Sequence, residues 1–269
     1  MSSVASTDVG RASARPDGLK PVLHFRPLAL PVEHGGWGIL LEPLALAMLV
    51  APSRAGALVG AAAFFGFLAR HPLKLALQDL VRGHAFARTT WCWVFAGWYS
   101  VLATYSIAFA VSQSSARILV PFAMVAPLAI VTMIQDARRK GRSIVPEVCG
   151  AIAMSSTAAS VGIAAGLSYP AAFTLMALIA ARSVPSIFFV HALLGRANKW
   201  IAMAFHALAL AYGLFVGTPG AIAAYFVLFA RAAWGVTHEA PRAKVIGWRE
   251  IAWGVVTIAL LAITPPIAR

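Results

Sequence analysis

The sequence predicts an all-α fold, a polytopic membrane helical bundle of about nine spans, and three observations point there. Of 269 residues, 60% are hydrophobic and 12% charged, where soluble domains carry about 25% charged residues. Apolar runs long enough to cross a bilayer recur along the chain, separated by short Gly-, Pro- and Ser-rich breaks. Basic residues crowd into alternate breaks, the asymmetry that orients membrane proteins. The net charge of +13 belongs to those breaks. No basic tail interleaved with aromatics is present, so nucleic acid is not an expected partner.

The elements follow in order. Residues 1–30 begin polar and lack the basic start and short apolar core of a cleavable signal. They are expected to form a flexible cytoplasmic tail, with "KPVLHFRPLAL" (20–30) at the membrane interface. The rest, 31–269, reads as a single transmembrane helical domain. Its expected spans are 36–52, 55–73, 91–111, 117–135, 146–166, 169–191, 200–217, 219–236 and 248–266. The breaks "PSRAG", "SQSSAR", "GLSYP" and "GTPG" are rich in helix-stopping residues. Cys92 and Cys149 fall near inner span ends and are expected to be unpaired thiols.

Charge fixes the orientation. With the N-terminus inside, the inner segments hold Arg11, Arg15, Lys20, Arg26, Arg70, Lys74, Arg82, Arg88, Arg138, Arg139, Lys140, Arg142, Arg196, Lys199, Arg242, Lys244 and Arg249. The outer ones hold only Arg54, Arg117 and Arg269. That bias predicts N-in and C-out, with lipids as neighbours. Arg182 and Arg231 remain inside spans, where an arginine costs about 2.5–3.5 kcal/mol on insertion scales and is kept with a partner or a wet cavity.

Acidic residues share this geography. Glu33, Asp79, Asp136, Glu147, Glu239 and Glu250 lie at inner ends or loops, and Glu42 two turns into the first span. Carboxylates contribute little to topology, so their placement suggests a charged chamber open to the cytoplasm; interfacial ion pairs that pin the bundle are the alternative. In "LARHPLKLALQDLVRGHAFAR" (68–88), Arg70 and Lys74 stand at i, i+4, and His71, Lys74 and Gln78 at i, i+3, i+7. A helix continuing past the second span would show Arg, His, Lys and Asp on one stripe, beginning at a bend at Pro72. "ARHP" (69–72) is echoed by "ARSVP" (181–185), a weak internal repeat four spans later. "QDARRKGRSIVPE" (135–147) is an orientation loop or a phosphate-binding one. His191 and His206 could serve as haem ligands, but their depths differ by about 10 Å.

"LPVEHGGWGILLEPLALAML", "RHPLKLALQDLVRG" and "ARSVPSIFFVHALLGR" resemble the YwiC-like family of bacterial membrane proteins over most of residues 28–200. That resemblance implies a multi-pass protein of the bacterial cytoplasmic (inner) membrane and no particular activity. The architecture is similar, more distantly, to the UbiA-type intramembrane prenyltransferases, in which two Asp-rich motifs hold magnesium and an isoprenyl diphosphate. This chain departs from the pattern. It has Arg70, Lys74, Gln78 and Asp79 at the first motif position and Arg182, Ser186, His191 and Arg196 at the second. One carboxylate makes no two-magnesium site, so no cofactor is expected. Arginine and lysine can meet phosphate directly.

The expected function is therefore a basic, cytoplasm-facing cavity for an anionic lipid or prenyl-phosphate-type ligand, with metal-independent UbiA-like transfer as its catalytic extension. Arg70, Lys74, Asp79, Arg139, Arg142 and Arg182 are the expected ligand contacts. His71, Asp79 and Glu42 are the candidates for chemistry. A small-anion transporter, or a non-catalytic subunit or assembly factor of a respiratory complex, are the alternatives.

Overall fold

The computed structural model describes residues 25–31, 34–83 and 86–265. The expected N-terminal tail as far as residue 24, and Glu33, His84 and Arg269, lie outside the described residues. The described chain is helical throughout: α1 (Arg26–Ala29), α2 (His34–Val50), α3 (Arg54–Val81), α4 (Ala87–Gln113), a 3-10 turn (Ala116–Leu119) leading into α5 (Val120–Ala137), α6 (Ile144–Ala164), α7 (Tyr169–Leu193), α8 (Lys199–Val216), α9 (Pro219–Gly235) and α10 (Ala243–Ile263). The short α1 docks by Leu28 against Ala76 of α3 and Cys92 of α4. Neither cysteine is in a disulfide.

Each expected span meets one helix of α2 to α10, but nine spans is corrected to seven. α3 to α8, with the 3-10 turn counted into α5, and α10 are long and apolar enough to cross a membrane. α2 and α9 have 17 residues each. At 1.5 Å per residue they reach about 25 Å, short of the ~30 Å hydrocarbon core. The expected spans 36–52 and 219–236 differ from these helices by only one or two residues at an end, so the count changes because both helices stand at the lower limit of a span.

Side chains mark the helix starts. Ser53, Ser168, Asn198 and Thr218 accept hydrogen bonds from the backbone N–H of Gly56, Ala171, Trp200 and Ala221. α8 ends at Gly217 with φ +75°, a left-handed conformation that glycine adopts without a Cβ clash. α3 runs unbroken through Pro72 and α7 through Pro185. The expected bend therefore does not end the second span.

α6 is the central helix, packed on α2, α3, α5 and α7. Its buried run Ser155–Ile163 is made largely of Ala, Ser, Thr and Gly, the small residues that let helices approach closely in lipid. α9 meets α10 in the same way. A Cβ on Gly220 would collide with the Leu260 carbonyl and the Thr264 hydroxyl, which accepts the Gly220 N–H at 2.7 Å. α4, by contrast, packs mainly on α3 and turns Trp98, Val101 and Tyr105 outward.

Short connections make successive helices antiparallel neighbours. The C-terminal ends of α3, α5, α7 and α9 therefore share one end of the bundle with the starts of α4, α6, α8 and α10, and the turns at 51–53, 114–115, 165–168 and 217–218 share the other. Gly220→Ala should lower the thermal stability of the detergent-solubilised protein by about 1–3 kcal/mol, the usual cost of overpacking. Gly97→Ala, where a Cβ meets nothing within 4 Å, should leave it unchanged. Equal melting of the two variants would refute the close approach at α9–α10.

Candidate functional site

The charged residues of the first of these ends form four clusters, each tying helices together. Asp79, fully buried near the end of α3, takes a two-point grip from Arg88 of α4: Nη2 at 2.7 Å from Oδ1, and Nε donating to Oδ2 at 3.1 Å. Thr89 donates to the same Oδ2 at 2.8 Å. The Thr89 hydroxyl in turn accepts the Phe86 N–H at the start of α4.

Asp136, 2% exposed at the end of α5, is the second centre. Arg70 reaches its Oδ2 through Nε at 3.0 Å and Nη2 at 2.8 Å, and Lys74 Nζ lies 3.8 Å from Oδ1. Gln78 donates to the Asp136 main-chain carbonyl at 2.7 Å. Gly141 folds back over the carboxylate with no space for a Cβ. That fold places the exposed loop residues Arg138, Arg139, Lys140 and Arg142 immediately beyond it. Arg139 adopts φ +61° in this turn. Beside the centre is a water-sized recess of about 30 Å³, lined by Pro31, Gly36, Phe67, Arg70, His71 and Lys74. His71 Nε2 lies 3.0 Å from the Pro27 carbonyl.

The third cluster pairs Glu147 at the start of α6 with His191 at the end of α7, 3.0 Å apart. The fourth lies deeper and joins α2, α7, α9 and α10. Arg182 meets Glu42 at 3.0 Å, donates to the Glu250 carbonyl oxygen at 2.7 Å and stands 3.8 Å from the Glu250 carboxylate. Arg231 meets the other Glu250 oxygen at 2.8 Å, and its guanidinium lies 4.3 Å from the Phe189 ring centre. Two guanidinium groups face two carboxylates, and the quartet carries no net formal charge. Gly254 makes room for it, since a Cβ there would collide with Glu42 Oε1.

These contacts rearrange the expected site. Arg70 and Lys74 are brought together, with the Arg139–Arg142 loop next to them. Asp79 and Arg182 belong to other clusters, and Glu42 sits with Arg182. The single stripe of Arg, His, Lys and Asp is corrected to two. Arg70, Lys74 and Gln78 turn to Asp136, while His71 and Asp79 turn to α1 and α4. At about 100° per residue, Asp79 stands about 180° from Arg70. Nor do the acids stand around an open chamber as expected: Glu42, Asp79, Asp136, Glu147 and Glu250 each meet a basic side chain of another helix.

Sequence reasoning did not single out Asp136, Glu250 or Gly254. The available signal was the demand of every intramembrane arginine for a counter-charge, which pointed to acids near span ends without saying which. Among the described residues no group of three or more His, Cys, Asp or Glu side chains is placed to hold a metal ion.

Fold and charges together define an integral, multi-pass membrane protein whose polar interactions gather at one end of a helical bundle. The model of the YwiC-like protein family matches residues 30–162, and over that span the chain is similar to the YwiC-like family. The match includes the Glu42 segment, the whole Arg70–Gly83 segment and the Asp136 loop; Arg182 and Arg231 lie beyond it. No curated protein and no solved structure matches the chain.

Arg182→Met should destabilise the protein by about 3–5 kcal/mol, because it strands Glu42 between helices. Adding Glu42→Met should recover part of that loss. Thermal melts of the two singles and the double give the coupling. Strictly additive losses would mean that the pair contributes no coupling.

Proposed function

We propose that this is a protein of the bacterial cytoplasmic membrane that binds an anionic, phosphate-bearing lipid of the prenyl-phosphate type at the Asp136 corner, from the cytoplasmic side. One observation carries the reading. The Asp136 carboxylate meets Arg70 and Lys74, and the exposed loop bases Arg138, Arg139 and Lys140 follow it directly in the chain. The cytoplasmic orientation rests on the positive-inside bias of the loops.

The chemistry fits phosphate. Arg70 is 42% exposed while gripping Asp136, so it can share its donor fork with a second anion. Phe67 and Pro31 line the same recess and offer an apolar wall to the first carbons of a lipid chain. Binding through guanidinium and ammonium groups needs no bridging metal. A transferase extension would use these contacts to stabilise a leaving diphosphate, with His71 as the group near enough to exchange a proton. The charge balance of the Arg182 quartet favours binding over anion transport, since Glu42 and Glu250 neutralise the two arginines a permeating anion would need.

The test is binding of farnesyl diphosphate to the full chain in mild detergent. Arg70→Gln and Arg139→Gln should each weaken it about fivefold, the equivalent of about 1 kcal/mol per basic residue near a phosphate surface. Arg54→Gln, at the opposite end, should not change it. Binding should persist in a chelator. Undiminished affinity in both variants, or loss of binding with the chelator, would overturn the proposal.

A further inference from the structure

The opposite end of the bundle holds a feature that the Asp136 corner does not explain. A bay of about 640 Å³ opens there, between the end of α4, the 3-10 turn leading into α5, and the connection from α6 to α7. α4, α5, α6 and α7 are all among the helices long enough to cross a membrane. The bay therefore lies where spans emerge, at the membrane–water interface. Its lining is divided in the manner of an amphiphile. Ile163 and Leu167 supply an apolar wall, Gln113, Ser114 and Ser168 supply amide and hydroxyl groups, and Arg117 supplies a cation.

The charge of Arg117 is the decisive element. All the described acids, Glu42, Asp79, Asp136, Glu147, Glu239 and Glu250, belong to the other half of the bundle. Among the described residues Arg117 and Arg54 are the only charged groups at this end, and Arg117 alone lines the bay. At the other end carboxylates of neighbouring helices answer Arg70, Arg88, Arg182 and Arg231. Here the described residues offer none, so the exposed Arg117 guanidinium can give its donor fork to an anion from outside.

We propose that this bay is a second ligand site, which takes the phosphate of a phospholipid headgroup in the leaflet facing this end. The phosphate oxygens meet the Arg117 fork, the headgroup meets Gln113, Ser114 and Ser168, and the first acyl carbons lie along Ile163 and Leu167. The site is independent of the Asp136 corner and stands or falls separately from it. Free inorganic phosphate has the same recognition chemistry without the apolar half, so the two sources are separable.

Native mass spectrometry of the full chain in mild detergent tests this, with phosphatidylglycerol, diacylglycerol or inorganic phosphate added. The expected result is phosphatidylglycerol bound at least tenfold more than diacylglycerol. Arg117→Gln should remove that preference, Arg117→Lys should restore part of it, and Arg54→Gln should leave the Arg117-dependent part unchanged. Binding of inorganic phosphate as strong as that of the lipid, or displacing it, would overturn the lipid assignment in favour of free phosphate. Equal retention of phosphatidylglycerol by Arg117→Gln and the parent protein would overturn the site itself.

Discussion

A carboxylate removed from water between helices has to bring a cation with it, and the polar framework of this protein depends on that constraint. Replacing water around two charges costs several kcal/mol per ion unless the partners meet in good geometry. The chain meets the condition with pairs that cross helix boundaries: Asp79 with Arg88 and Asp136 with Arg70. Glu42 and Glu250 meet Arg182 and Arg231. Apolar packing alone tells helices little about register in lipid. Paired charges define it, because sliding one helix past another would strand an ion.

The deep quartet also accounts for the two short helices. α2 and α9, too short to span the hydrocarbon core unaided, contribute Glu42 and Arg231. The long helices α7 and α10 contribute Arg182 and Glu250. Each short helix is thus bound by charge to a long one, with Gly254 providing the clearance on α10. The Asp136 corner differs in kind. Its carboxylate is outnumbered by the bases around it, and those bases include the exposed loop 138–142. The first arrangement is closed on itself, and the second leaves Arg70 42% exposed.

The succession of helices was legible in the sequence because breaks such as "GLSYP" and "GTPG" stop helices by local chemistry. The span count was not, because runs as short as α2 and α9 stand at the lower limit of what crosses the hydrocarbon core. Arg182 and Arg231 could be recognised as buried charges needing partners. Their partner Glu250 could not, since it lies 68 residues from Arg182 and is brought there by packing of α7 on α10. Asp79 looked like a ligand contact next to Arg70, yet helical rotation alone places the two on opposite faces. Its true neighbour, Arg88, is nine positions on, at the start of α4. Arg70 and Lys74 were visible as a basic pair, and what the fold adds is Asp136, 66 residues distant from Arg70.

The account centres on phosphate recognition at the Asp136 corner, and mapping a photoactivatable prenyl diphosphate analogue on the intact protein tests it most directly. Cross-linked peptides should concentrate in residues 67–74 and 138–143, compete with unlabelled prenyl diphosphate, and persist in a chelator. Labelling confined to α7 to α10, or spread evenly over the lipid-facing helices, would contradict it.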